Sequence, residues 1–228
     1  MFITFEGIEG VGKTTHLKWM AEQLEHAGIS VLTTREPGGT PMGEEIRDIL
    51  LAHRHERVAP LTELLLMFAA RAQHVDTVIR PALEQGRWVL CDRFVDATYA
   101  YQGGGRGVET DLIAKLEKLV LGDFKPDLTL LFDAPTAVGL SRIKKRGDVQ
   151  DRFEQEKLDF FERVRLAYKA RADQDPVRHK IIDASKTIDE VQTVLLALTL
   201  SLTPSLTPSL TPTLSQRERE LKKRGEGE

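Results

Sequence analysis

Short runs suited to strands alternate along the chain with longer runs in which apolar positions recur every three to four residues. Phe2 to Phe5 reads as a strand, followed by a glycine-rich turn and a helical pattern from Lys13 to about Ala27. Ser30 to Thr34 reads as a second strand, closed by Pro37-Gly38-Gly39, and helical patterns follow from Met42 to Leu51 and from Leu61 to about Glu84. Trp88 to Cys91 and Leu128 to Phe132 are apolar throughout, as strands covered on both faces are. Helices are predicted from about Asp111 to Leu121, Thr136 to Lys145 and Glu154 to Asp173, with a last strand at Lys180 to Ile182. Leu158, Phe161, Val164 and Tyr168 form one apolar stripe on the long helix, which reads as core. Parallel neighbours need crossover connections, so this alternation predicts an α/β fold with a five-stranded parallel sheet and helices on both faces.

The pattern stops near Thr199, where Ser201-Leu202-Thr203-Pro204 repeats as Ser205 to Pro208 and Ser209 to Pro212. Proline in every four-residue unit forbids helix and sheet interior, so residues 201–228 are expected to be a low-complexity disordered tail. Residues 1–200 are expected to be one domain. Among the 228 residues, 41% are hydrophobic and 29% charged, the balance of a globular chain. The formal charge of -3 gives no diffuse positive field for nucleic acid or an anionic bilayer, so any phosphate site must be local. No apolar run approaches bilayer length and no signal-peptide pattern opens the sequence, so a cytoplasmic protein is expected. A single cysteine, Cys91, excludes an intrachain disulfide; on an apolar strand it reads as a small buried hydrophobe. The six histidines lack metal-ligand spacing, except that His53 and His55 lie two apart, and they read as surface residues.

The sharpest chemical signal is Gly7-Ile8-Glu9-Gly10-Val11-Gly12-Lys13-Thr14, a G-x-x-x-x-G-K-[ST] motif set between a predicted strand and a predicted helix. Its glycines let backbone N–H groups turn inward beside the positive end of the helix, a cradle for polyphosphate. Lys13 would reach the β- and γ-phosphates, and the Thr14 hydroxyl would ligate Mg2+. The fold implied is the three-layer P-loop NTP hydrolase type. The chain contains no asparagine, so neither the Asn-Lys-x-Asp motif that reads guanine nor a protein-kinase catalytic-loop Asn is available. ATP is the expected donor.

Asp92-Arg93 follows the third strand, at the sheet edge where ligands gather. Arg93 could hold an acceptor phosphate bidentately, and Asp92 could organise Mg2+, partly through water, or orient the acceptor; an ordinary surface pair remains open. Arg142, Lys144, Lys145, Arg146 and Arg152 surround Gly147 in a cationic stretch that suits a phosphate-covering lid at about 142–153. Arg146 and Arg152 are favoured for catalysis and Arg142 for stacking on adenine; a solvated basic helix face is the alternative.

These residues resemble the thymidylate kinase family from Phe2 to about Leu198. The resemblance rests on Phe5-Glu6-Gly7-Ile8-Glu9-Gly10, Arg35-Glu36-Pro37-Gly38-Gly39-Thr40, Leu66-Met67-Phe68-Ala69-Ala70-Arg71, Asp92-Arg93-Phe94 and Ala100-Tyr101-Gln102-Gly103-Gly104-Gly105-Arg106-Gly107. It implies phosphorylation of dTMP to dTDP by ATP and Mg2+, in dTTP biosynthesis, and a homodimer joined through helices near Leu61 to Glu84. It also implies that Phe68 stacks on thymine and Arg71 hydrogen-bonds a base carbonyl, with Thr98 near the base. Tyr101 would pack under the deoxyribose and exclude a 2′-hydroxyl, and Glu9 would bind the sugar 3′-hydroxyl. Glu36, Pro37, Arg93 and Gln102 complete the implied dTMP site. The phosphate loop has no arginine whereas the lid has several, which resembles the bacterial-type arrangement. A kinase for another monophosphate such as dUMP, or a nucleotide-dependent regulatory ATPase, remains the alternative.

Overall fold

The computed structural model describes residues 1–53, 55–146, 152–153 and 156–202, without the side chains of residues 145 and 146. Five strands, β1 (Phe2–Glu6), β2 (Val31–Arg35), β3 (Trp88–Asp92), β4 (Leu128–Asp133) and β5 (His179–Asp183), form one sheet in the order β2-β3-β1-β4-β5. All four pairings are parallel, as the alternation of elements predicts. Phe5 pairs with Asp92, and Arg35 also pairs with Asp92, so the C-terminal ends of β1, β2 and β3 share one edge. The loops that leave this edge carry the phosphate motif, Glu36-Pro37 and Arg93.

Side chains alternate between two apolar layers, the period-2 consequence of a sheet covered on both faces. Ile3, Phe5 and Leu90 join the layer packed by α1 (Lys13–His26) and a later helix (Leu158–Gln174). Phe2, Val89 and Cys91 join the opposite layer with Leu64 and Phe68. α2 (Pro41–Leu51) starts cleanly because Thr40 accepts from Gly43 N at 2.9 Å and Pro41 needs no donor.

The predicted helix over 61–84 is interrupted. α3 (Pro60–His74) widens into a π-helical turn at Val75–Ile79 before α4 (Arg80–Glu84). Pro81 lacks the N–H that a continuous α-helix would use there, and the wider turn absorbs the mismatch. The glycine-rich segment after β3, which carried no predicted element, is helical: α5 (Val95–Thr98) runs into a π-helical stretch at Tyr99–Gly105. α6 (Thr110–Leu121) and α7 (Thr136–Arg146) follow as expected. α8 (Leu158–Gln174) begins four residues later than predicted and leaves Leu158 half-exposed, outside the stripe that Phe161, Val164 and Tyr168 form.

α9 (Ile188–Leu202), not predicted, covers the sheet last and takes in Ser201 and Leu202 from the expected tail. Its Val191, Leu195 and Leu196 are buried, which stabilises a helix of otherwise modest propensity. Residues 203–228 lie outside the described residues. The surface reading of the histidines holds for His53 and His55, but His16, His74 and His179 are buried. His74 and His179 are hydrogen-bonded through both ring nitrogens, and His16 stacks on Phe132 with ring centres 5.5 Å apart; the described residues contain no group of three or more His, Cys, Asp or Glu side chains suited to a metal.

Candidate active site

The phosphate loop leaves β1 and enters α1 through Gly12, which has φ +89°. Gly10, at φ +75°, has no room for a side chain: a Cβ there would lie 2.1 Å from Gly139 O in α7. The loop is thus pressed between the sheet edge and α7. Inside it, Lys13 Nζ donates to Gly7 O at 2.9 Å and Ile8 O at 2.7 Å. Burial, and then the neighbouring Arg93 charge, bring the Lys13 ammonium down to about 8. Thr14 Oγ1 donates to Asp92 Oδ2 at 2.7 Å, so the hydroxyl and carboxylate that the sequence assigns to Mg2+ stand side by side.

Arg93 has φ +69°, the sole positive φ outside glycine among the described residues. That backbone turns its side chain over the loop, where four acceptors fix it. Nη1 donates to Gly7 O and to the Tyr168 hydroxyl, each at 3.0 Å; Nη2 donates to Glu9 Oε1 at 2.9 Å and to the Tyr101 hydroxyl at 3.0 Å. Burial pushes both phenols up, so their hydroxyls stay protonated and donate onward. Tyr101 donates to Glu9 Oε2 at 2.6 Å, and Tyr168 donates to Glu6 Oε2 at 2.9 Å.

A cleft opens beside this cluster, lined among others by Glu9, Glu36, Arg71, Arg93, Tyr101 and Gln102. Pro37 and Thr98 line it too. Arg71 is 2% exposed; its Nε donates to Glu36 Oε2 at 2.7 Å and its Nη2 to Phe94 O at 3.1 Å. Arg71 Nη1 and Thr98 Oγ1 are buried without a hydrogen-bond partner among the described residues, on two elements that line the same cleft. Two unpaired buried polar atoms in one apolar-walled cleft mark a place where a ligand completes the hydrogen bonding.

Phe68 is not among the residues that line the cleft. It packs in the second apolar layer, with the Arg71 guanidinium 5.0 Å from its ring centre. Met67 lines the cleft instead. At about 100° per residue, Met67 lies roughly 40° around the helix from Arg71, whereas Phe68 lies roughly 60° away on the other side.

Arg152 is next to Phe153, which lines the cleft, but does not line it itself. Its Nε donates to Leu50 O at 2.9 Å and its Nη2 to the buried Glu63 at 2.6 Å, with Phe153 beneath it. Glu63 also takes Gln102 Nε2 at 2.8 Å. Arg142 reaches from α7 to Ala184 O at 3.0 Å, one turn beyond the Gly139 contact with the phosphate loop. The Arg146 side chain and residues 147–151 lie outside the described residues.

Met67, Glu63, Phe153, Arg47 and Tyr168 belong to this region and are not singled out by sequence reasoning. Tyr168 carried one signal, a hydroxyl at the end of an otherwise apolar stripe; a buried phenol needs a partner.

Comparison with known proteins places this geometry. A family model described as thymidylate kinase matches residues 5–225. A thymidylate kinase from Pseudomonas savastanoi pv. phaseolicola is 56% identical over 195 residues, covering 86% of this chain and 92% of that protein. One from Pseudomonas entomophila is 57% identical over 198 residues, covering 87% and 94%. The crystal structure of thymidylate kinase from Ehrlichia chaffeensis superposes with a TM-score of 0.71 at 36% identity, covering 87% of this chain and 97% of that one. On these grounds, the chain belongs to the thymidylate kinase family.

Proposed function

We propose that this protein transfers the γ-phosphoryl group of ATP to dTMP, giving dTDP and ADP. The observation that carries the reading is the cleft that Arg71 and Thr98, whose Nη1 and Oγ1 are buried and unpartnered among the described residues, line together with Arg93 and Glu9 of the phosphate loop. An acceptor base fits against the first pair, and its phosphate falls beside the second. Met67 supplies an apolar wall for the base, with Phe68 supporting Arg71 from behind. Glu9 and Tyr101 hold each other and Arg93, so they can bind the sugar hydroxyl and press on its ring. Glu36, Pro37 and Gln102 shape the remaining wall.

An oxygen of the dTMP phosphate attacks the γ-phosphorus as the bond to the β-phosphate oxygen breaks and ADP leaves. The chain's task is to align two anions and offset their repulsion. Lys13 and Arg93 are held a few ångströms apart by the shared acceptor Gly7 O, one for the donor and one for the acceptor. Arg142 suits the adenine side, and Arg146 and Arg152 suit the transferring group. The Thr14 and Asp92 oxygens are a hard-ligand pair that fits Mg2+, directly or through water. Bound there, Mg2+ would neutralise charge on the donor phosphates.

A cytoplasmic homodimer fits the surface. Among the described residues no helix is long and apolar enough to cross a membrane. Leu61 and Leu65 on α3 are each 49% exposed, in line on one face, and Leu119 on α6 is 79% exposed.

The test is a coupled ADP assay with ATP and a panel of monophosphates. dTMP is expected to be the best acceptor, and turnover without any acceptor to be negligible. Preference for dUMP would redirect the substrate assignment, and acceptor-independent hydrolysis would favour a regulatory ATPase.

A further inference from the structure

Arg71 can read a base only if its guanidinium plane is fixed, and its position in the cleft wall poses the question of what fixes it. Two of its nitrogens are anchored, on Glu36 and on Phe94 O, and the third, Nη1, has no partner among the described residues in a side chain that lines the cleft. Phe94 O is backbone. Glu36 is a flexible side chain, so the aim of Arg71 is only as firm as that carboxylate.

The second oxygen of Glu36 is taken by His74, whose Nδ1 lies 3.0 Å from Oε1. The other ring nitrogen, Nε2, lies 2.7 Å from Thr34 Oγ1. A carboxylate that already accepts from Arg71 accepts from His74 as well, so Nδ1 carries the ring proton. In the neutral ring Nε2 is then the acceptor, and the Thr34 hydroxyl donates to it. The result is a directional chain from β2 to the cleft: Thr34 to His74, His74 to Glu36, with Arg71 donating to the same carboxylate from the opposite side. His74, Glu36 and Arg71 are all buried.

The turn that follows Glu36 closes over this chain. Gly39 has φ +79°, and a Cβ there would lie 2.4 Å from His74 Nε2 and 2.7 Å from Thr34 Oγ1. Only a glycine lets the turn cover the ring so tightly. His74 also stands three residues beyond Arg71 on α3, so both donors to the Glu36 carboxylate are carried by one helix.

We propose that His74 is a positioning residue for acceptor-base recognition, acting through Glu36 on Arg71. The proposal rests on the reading of Arg71 as the donor to the base of dTMP. His74 touches neither substrate, and its role is to set the direction of the one Arg71 nitrogen left for the ligand.

Two substitutions and one spectrum test it. His74→Leu removes both hydrogen bonds, while His74→Asn keeps a donor near the Nδ1 position for Glu36. In the coupled assay, His74→Leu is expected to raise KM for dTMP about tenfold, with kcat within about twofold and KM for ATP unchanged. His74→Asn is expected to stay within about threefold of the unsubstituted enzyme for dTMP. Equal losses for both substrates, or an unchanged KM for dTMP in His74→Leu, overturn the proposal. The full chain labelled with 15N-histidine gives a readout independent of turnover. The His74 ring should show the Nδ1-protonated tautomer, and saturating dTMP should shift it where ATP does not. An Nε2-protonated ring overturns the proposal even if His74→Leu fails to fold. An unsubstituted enzyme that does not phosphorylate dTMP would instead overturn the functional reading, leaving the tautomer to be judged on its own.

Discussion

Glu6 ends β1 fully buried, with Phe94 N donating to one oxygen at 2.7 Å and Tyr168 to the other. Burial, and then the charge of Asp96, push its carboxyl up from 4.5 to about 8. The folded chain therefore keeps a proton that the unfolded chain loses above the ordinary glutamate range. The stability this group contributes is full below about pH 4.5 and is lost as pH rises through about 8. Glu6→Gln, neutral at every pH and of the same size, should abolish that slope. In urea unfolding its advantage over the unsubstituted protein should grow between pH 5 and 8 by on the order of 2–4 kcal/mol; parallel curves would show that Glu6 is charged in the fold. Neither Glu6 nor Tyr168 announces this in the sequence. Helical spacing tells which face of α8 is buried, and it does so correctly for Tyr168. It says nothing of the polar tip, whose partners are Glu6 of β1 and Arg93 just after β3, far along the chain. His74 is hidden for the same reason, and Met67 and Phe68, neighbours in sequence, reach the cleft and the apolar layer respectively because they diverge around a helix.

Elements were legible where their signal is local. Each strand is a short run with its own turn, and the phosphate motif declares both of its flanks. What stayed hidden depends on a neighbour. Gly103-Gly104-Gly105 carries no predicted element, yet it is helical because α8 lies against it. A Cβ on Gly104 would lie 2.6 Å from Ala167 Cβ and 2.9 Å from Arg163 O. The glycines are there to admit a helix, and the cost of glycine in a helical stretch, about 1 kcal/mol each, is offset by that contact. Since α8 also carries Tyr168, the fit of Gly104 sets the height of the hydroxyl that holds Arg93. Gly104→Ala should cost about 1–3 kcal/mol in urea unfolding by overpacking. It should also lower kcat, because Arg93 loses one of its four acceptors. Adding Ala167→Gly removes one of the two clashes and should return part of both losses. A Gly104→Ala protein with full activity would show that Tyr168 does not help to position Arg93.

At the scale of the whole molecule, one helix serves two surfaces. The inner face of α3 presents Met67 and Arg71 to the cleft and Glu63 to Arg152. Its outer face carries Leu61 and Leu65, with Leu119 of α6 also exposed. Each exposed leucine leaves apolar area in water, at a cost of roughly 25 cal/mol for each Å² that could be covered. A second copy of the chain would cover it by two-fold symmetry, each α3 meeting its counterpart. Analytical ultracentrifugation should then find twice the 25.6 kDa of one chain. Leu65→Glu, which places like charges against each other across that axis, should return the single-chain mass without unfolding the sheet. Because α3 is shared, the monomer should bind dTMP several-fold more weakly while KM for ATP, set by the phosphate loop and α7, stays near that of the dimer. If the unsubstituted protein sediments as one chain at the concentrations used for assay, the leucine face has another role and α3 is positioned from within its own subunit.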